Sequence, residues 1–184
     1  MNMNTILIIE DDKAIVDVLK MILEHDGFRI ERAFNGPTGI EKFKETAPDL
    51  VLLDIRMPKM DGIEVLQELR KIDKQSIVIM ISGHGNIETA VQTTKLGAYD
   101  FISKPFDVER LKLTIQNGLN YKKLLAENES MKQKFDAEAE FLGASDEMRR
   151  LKDQVSKIAS TSSRVLITGE NGTGKELAAK QIHK

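Results

Sequence analysis

Between Thr5 and Ile102, short apolar runs alternate with stretches in which apolar residues return every three or four positions. The runs are Thr5–Ile9, Phe28–Ala33, Leu50–Leu53, Ile77–Ile81 and Tyr99–Ile102. Several are apolar at consecutive positions, so both faces must be covered, as in a parallel sheet enclosed by helices. The intervening stretches read as helices. Ile15, Val18, Leu19, Ile22 and Leu23 mark the first, which stops at Gly27, and Ile40 and Phe43 the second, which ends before Pro48. Ile63, Leu66 and Leu69 mark a third, Ile87, Val91 and Leu96 a fourth that stops at Gly97, and Leu111, Ile115 and Leu119 a fifth. Five successive βα units predict an α/β fold with a doubly wound open sheet. In such a sheet the working site lies at the carboxyl ends of the strands, near the reversal of strand order.

The fifth helical pattern has no stop signal. It continues through Tyr121, Leu124, Asn128, Met131 and Phe135 with charged residues around them. Two readings stand: a solvated linker helix, or a short dimerising coiled coil in which Asn128 would favour a defined register at some cost in stability. Phe141-Leu142-Gly143 then opens a new segment, with a helix expected over Ser145–Ala159, a polar break at Ser160-Thr161-Ser162-Ser163 and a strand at Val165–Thr168.

Composition narrows the chemistry. With 184 residues the chain has room for one well-packed domain and a remainder. A formal net charge of -2 offers no global attraction to nucleic acid or an anionic membrane. The absence of cysteine removes disulfides, thiolate zinc sites and cysteine nucleophiles. The apolar runs are strand-sized and the start, MNMNTILIIEDD, lacks a basic n-region and a cleavage site, so a cytoplasmic protein without a membrane partner is expected.

Glu10, Asp11 and Asp12 follow the first run and Asp54 follows the third, which places four acids in one crevice. Converging carboxylates repel unless a cation lies among them, and hard oxygen donors point to Mg²⁺. Asp12 has a second reading as the cap of the helix from Lys13 onward. Ser82 ends the fourth run, and Lys104, followed by Pro105, ends the fifth. Taken together these are the parts of a phosphoryl transfer to a carboxylate: an ionised acceptor, a divalent cation, an ammonium and a hydroxyl.

The stretches IIEDD, LLDIRMPKMDG, ISGHG and ISKPF, in this order, resemble the receiver domain of two-component response regulators over about Met3 to Lys122. The resemblance implies a flavodoxin-like, five-stranded parallel sheet in order 2-1-3-4-5. It implies that Asp54 is the phosphoacceptor for a sensor histidine kinase, and that Asp11, Asp54 and the backbone carbonyl of Arg56 bind Mg²⁺, with Glu10 acting through water. Glu10 stands where Asp is commoner. Ser82 falls at the switch hydroxyl, Lys104 at the conserved-type lysine with a cis bond to Pro105, and Phe101 at the switch aromatic, where plain core packing is the competing reading.

GENGTGKE, preceded by VLIT and followed by LAAKQIHK, has the strand, loop and helix order of a phosphate-binding loop. Gly169, Gly172, Thr173, Gly174, Lys175 and Glu176 would line it. Glu176 stands where a Mg²⁺-binding hydroxyl is usual. That departure, with FLGASDEMRRLKDQV upstream, resembles the first motif of the AAA+ domain in sigma-54-dependent, NtrC-type transcriptional activators. The expected organisation is a receiver over 1–122, a helical or coiled-coil linker over 123–140 and the beginning of the AAA+ domain over 141–184. On this reading the chain is an amino-terminal fragment and a regulatory phosphoacceptor, not an enzyme. It forms a homodimer through receiver and linker, and ATP, sigma-54 RNA polymerase and DNA belong to the full-length protein. The alternatives are a P-loop ATP-binding enzyme with a regulatory lobe, and a dimerising scaffold that never accepts phosphate.

Overall fold

A computed structural model describes residues 3–83, 87–138, 145–161, 164–170 and 172–183, with the side chains of 133–138 and 180 excepted. His84 and Gly85 of the ISGHG stretch, the side chain of Phe135, the Phe141-Leu142-Gly143 junction, Ser162, Ser163 and Asn171 lie outside the described residues. The chain divides into two compact units, Met1–Leu125 and Ala126–Lys184.

The first unit alternates strand and helix: β1 (Thr5–Ile9), α1 (Lys13–His25), β2 (Arg29–Ala33), α2 (Gly36–Thr46), β3 (Leu50–Asp54), α3 (Gly62–Ile72), β4 (Ile77–Ser82), α4 (Ile87–Lys95), β5 (Asp100–Ser103) and α5 (Val108–Glu138). All neighbouring strands pair in parallel, in the order β2-β1-β3-β4-β5. The consecutive apolar residues of β3 and β4 are buried throughout because helices cover both faces of the sheet. One face packs Ile6, Ile8, Leu50, Leu52 and Ile79 against Leu19 and Leu23 of α1 and Leu111 and Ile115 of α5. The other packs Leu7, Ile9, Val51, Leu53 and Met80 against Phe43 of α2 and Val65, Leu66 and Leu69 of α3.

The helix boundaries have local causes. Asp12 caps α1 by accepting from the Ala14 and Ile15 amides, so its second reading holds. Asn35 caps α2, and Asp61 with Glu64 forms a reciprocal capping box on α3. Gly27 and Gly97 take positive φ after α1 and α4, as their place in the sequence predicts. Past the core contacts of Leu111, Ile115 and Leu119, α5 continues as the unbroken pattern requires, and Tyr121, Leu124 and Met131 are exposed along it.

In the second unit, α6 (Asp146–Ala159) is capped by Ser145, whose Oγ accepts from the Met148 amide, and α7 (Lys175–His183) follows the glycine-rich loop. Val155 and Ala178 are its buried apolar residues among those described. The expected strand at Val165–Thr168 is not formed: residues 164–170 have no regular secondary structure. A parallel strand exists only through hydrogen bonds to a neighbour, and among the described residues this run has none. Leu166 is correspondingly 88% exposed.

Candidate functional site

The sheet register brings the candidate residues to one edge. β1 and β3 lie side by side with Ile9 opposite Leu53, so Glu10 and Asp11 leave the end of β1 beside Asp54. Asp54 faces Ile81, with Ser82 the next residue of β4, and Ser82 in turn faces Ser103 of β5. The Lys104 amide donates to the Ser82 carbonyl at 2.7 Å, which extends the β4–β5 ladder to the lysine. The Lys104–Pro105 bond is cis.

Carboxylate oxygens of Glu10, Asp11 and Asp54 lie within 4.8 Å of one another. Glu10 and Asp54 are buried, at 2% and 4% exposure, while Asp11 opens to solvent. Lys104 bridges the buried pair: its Nζ donates at 2.6 Å to Glu10 Oε2 and at 2.6 Å to Asp54 Oδ1. Burial pushes the Glu10 carboxyl above its ordinary pKa, and the nearby Asp54 charge adds to this, against the opposing hydrogen bond from Lys104. For Lys104, burial pulls the pKa down, but hydrogen bonds and charge from both carboxylates outweigh it and the net shift is upward. The ammonium therefore stays charged between two acids. One cation against three carboxylates leaves surplus negative charge, and all three donors are hard oxygens with no His or Cys among them. That donor set fits a magnesium ion.

Ser82 is buried at the end of β4. Phe101, on β5 opposite Met80, is half-buried and packs against the α2–α3 side of the core. Arg56 follows Asp54 by two residues and its side chain is exposed.

One residue at this site escaped sequence reasoning. Gly62 opens α3, and its amide donates to the Ile55 carbonyl at 2.8 Å. A Cβ there would lie 2.1 Å from the Asp54 carbonyl oxygen and 2.8 Å from the Ile55 Cα. The start of α3 thus presses on the backbone of Asp54, an approach only glycine permits. The signal was the Asp61-Gly62 pair with Glu64 three residues after Asp61, a capping-box pattern that fixes where α3 begins.

In the second unit the glycine-rich loop is folded on itself. Lys175 Nζ donates to the Gly169 and Glu170 carbonyls at 2.8 and 2.6 Å, and Thr173 Oγ1 donates to the Glu170 carbonyl at 2.8 Å. Gly172 and Gly174 take φ of 82° and 83°. A cavity of about 460 Å³ is lined by Gly172, Thr173, Gly174, Lys175 and Glu176.

The family model for the response regulator receiver domain matches residues 6–116, and that for the sigma-54 interaction domain matches residues 141–184. The regulatory protein AtoC of Escherichia coli (strain K12) is 37% identical over 183 residues, which are 98% of this chain and 40% of that protein. The nitrogen assimilation regulatory protein NtrX of Azorhizobium caulinodans is 37% identical over 180 residues, 97% of this chain and 39% of that protein. The crystal structure of NtrX from Brucella abortus matches with a TM-score of 0.70 at 38% identity, covering 99% of this chain and 40% of that one. A receiver domain protein from Methanospirillum hungatei matches with a TM-score of 0.64 at 33% identity, covering 66% of this chain and 98% of that one. The chain spans about 40% of the length of the curated relatives it matches. Among the described residues no helix is long and apolar enough to cross a membrane.

Proposed function

The chain belongs to the response regulator receiver family, and from that premise we propose that Asp54 accepts a phosphoryl group from the phosphohistidine of a sensor kinase. The bond between phosphorus and the histidine nitrogen breaks as one forms to an Asp54 carboxylate oxygen, and the leaving imidazole takes up a proton. Asp54 needs no general base because a carboxylate is already ionised near neutral pH. The observation that carries this reading is the Lys104 ammonium 2.6 Å from the Asp54 oxygen. It lies where negative charge on the transferring group would gather.

Asp11, Asp54 and the Arg56 carbonyl would hold Mg²⁺, with Glu10 reached through water; when bound, the ion neutralises phosphoryl oxygens. Ser82 would donate its hydroxyl to the aspartyl phosphate. Phe101, half-buried on the next strand, would then repack, coupling the site to the face formed by α4, β5 and α5. The protein is thus a regulatory phosphoacceptor that uses a homodimer, formed through the receiver and the exposed apolar line of Tyr121, Leu124 and Met131 on α5, to control sigma-54-dependent transcription. ATP would bind at Gly169–Glu176 in the complete AAA+ domain, once the Lys175 ammonium leaves the loop carbonyls.

Mass spectrometry after incubation with acetyl phosphate and Mg²⁺ tests the central step. One added phosphoryl group is expected on the wild type and none on Asp54→Ala. An unmodified wild type, or an equally modified variant, overturns it.

A further inference from the structure

The amino edge of the sheet carries a cavity of its own. About 530 Å³ in volume, it lies within the first unit, between the end of α3, the start of β4, the corner before β5 and the α5 turn at Tyr121 and Leu125. Sites for small organic ligands usually span about 300–1,000 Å³. Ile77, which opens β4, and Tyr99, just before β5, line it, whereas Asp54, Ser82 and Lys104 stand at or just past the carboxyl ends of their strands. The rise of β4 from Ile77 to Ser82 puts about 16 Å between the two places.

Backbone contacts fix the walls. Arg70 Nη1 donates to the Lys74 carbonyl at 2.8 Å and to the Ser76 carbonyl at 2.6 Å, and its Nη2 donates to the Gly97 carbonyl. One guanidinium thus joins the turn after α3 to the corner after α4. On the other side, a Cβ on Gly118 would lie 2.8 Å from Ile77 Cγ2 and 3.4 Å from Tyr99 Cε1, so the missing side chain lets α5 settle on β4 and on the Tyr99 ring. The Tyr99 and Tyr121 rings stand 5.7 Å apart at 37°, within the range that aromatic pairs prefer, yet Tyr121 remains 48% exposed.

The lining is one-sided in charge. Arg70 and Lys74 are its cations, and among the described residues no carboxylate lines it. Arg70 spends its Nη atoms on carbonyls, which are dipoles and not counter-charges, and its buried Nε has no hydrogen-bond partner among the described residues. Asp73, whose charge acts on Arg70, gives its Oδ1 to the Gln75 amide at 2.8 Å. The Lys74 ammonium and the hydroxyls of Tyr99 and Tyr121 make no hydrogen bond or ion pair among the described residues. A second cavity of about 500 Å³, beside β2, differs on this point. There Lys20 meets Glu24 at 3.7 Å, Lys42 meets Glu31 at 3.3 Å and Arg32 meets Asp17 at 3.3 Å, so its cations are already paired.

An apolar floor, a wall of aromatic rings and an unpaired ammonium complement a ring that carries one negative charge. We propose that this cavity binds a small planar aromatic acid, with the carboxylate at Lys74 and the ring against Tyr99 and Tyr121. Occupancy ties the Tyr121–Leu125 turn of α5 to the amino edge of the sheet, an input separate from Asp54. The inference goes beyond the phosphoacceptor reading and does not rest on it.

Titrating the whole 184-residue chain with 2-naphthoate, without Mg²⁺ or a phosphodonor, tests the site through ¹⁵N–¹H amide shifts. Saturable shifts are expected at Ile77, Ala98, Tyr99 and Tyr121, half-complete below about 1 mM, with Glu10, Asp54 and Lys104 unmoved. The neutral 2-naphthamide, which keeps the rings, should bind about tenfold more weakly, and acetate, which keeps only the charge, should give no saturable shift. Lys74→Met, at an exposed position, should abolish the preference for the acid, and Tyr121→Ala, also exposed, should weaken both compounds. No saturable shift at these amides, shifts centred on Asp54, an equal response to the amide or to acetate, or either variant behaving as the wild type overturns the proposal. So does movement of the Ile77 and Ala98 amides on diluting the unliganded chain, which would mean that a second copy fills the cavity.

Discussion

Replacing Lys104 by Met tests the electrostatics of the site most directly. The side chains of Glu10 and Asp54 are 3% and 4% exposed, and each accepts a 2.6 Å bond from an ammonium that is itself 17% exposed. Met fills a similar volume but leaves two buried carboxylates facing each other. Removing one partner from a buried ion pair typically costs about 3–5 kcal/mol, because the remaining charge is left uncompensated. Two orphaned acids argue for the upper part of that range, and uptake of a proton by Glu10, whose pKa burial already raises, argues for the lower. Near neutral pH in EDTA the expected loss is therefore about 4 kcal/mol. For an m-value of about 2 kcal/mol/M this moves the urea midpoint down by about 2 M. Millimolar Mg²⁺ should restore more stability to the variant than it adds to the wild type, since the variant carries the larger unneutralised charge. Phosphorylation by acetyl phosphate should slow by about a hundredfold or more. A loss in EDTA below about 1 kcal/mol would refute the view that the ammonium holds these two acids together.

Glu10 supplies a test in pH. Its folded-state pKa lies above the ordinary 4.5, so the folded chain binds the proton more tightly than the unfolded chain does. The associated stability is present below that value and is lost as pH rises through the folded pKa. Urea titrations in EDTA should show Glu10→Gln gaining on the wild type as pH rises from about 4.5 toward neutral; a difference that stays flat with pH would contradict the burial effect. Gly62→Ala places a carbon 2.1 Å from the Asp54 carbonyl oxygen, and the forced shift of β3 or α3 should cost about 3 kcal/mol by chemical denaturation. An unchanged midpoint would mean that α3 moves away without resistance. Ala47, exposed at the carboxyl cap of α2, has φ of 42°, so Ala47→Gly should raise stability by about 0.5 kcal/mol once the added freedom of the unfolded chain is deducted. A lower melting temperature would show that the left-handed cap is unstrained.

Elements whose causes are local were legible in the sequence. The consecutive apolar residues of Leu50–Leu53 and Ile77–Ile81 announced strands covered on both faces, and β3 and β4 are buried from end to end. Gly27 and Gly97 marked helix ends because a left-handed residue is needed there. Val165–Thr168 was misread for the complementary reason. Its composition suits a strand, but a strand is a relation between two segments, and composition describes only one.

Arg70 and Gly62 belong to that second class. A basic residue in the last turn of a helix reads as a favourable partner of the helix dipole. Nothing in its neighbours announces that its guanidinium will reach the Gly97 carbonyl, 27 residues ahead. Its acceptors are backbone carbonyls, which every residue carries and no sequence pattern distinguishes. The same holds for a glycine whose missing Cβ matters only because the Asp54 carbonyl lies against it.

The sequence by itself determined the periodicities, the breaks and the identities of the charged groups, because these follow from the chemistry of each residue and its near neighbours. Only the tertiary structure decided that the carboxylates of Glu10 and Asp54 share one ammonium, and that the Arg70 guanidinium reaches the Gly97 carbonyl. Those facts depend on how parallel strands align, and alignment across a sheet is set by the packing of whole faces.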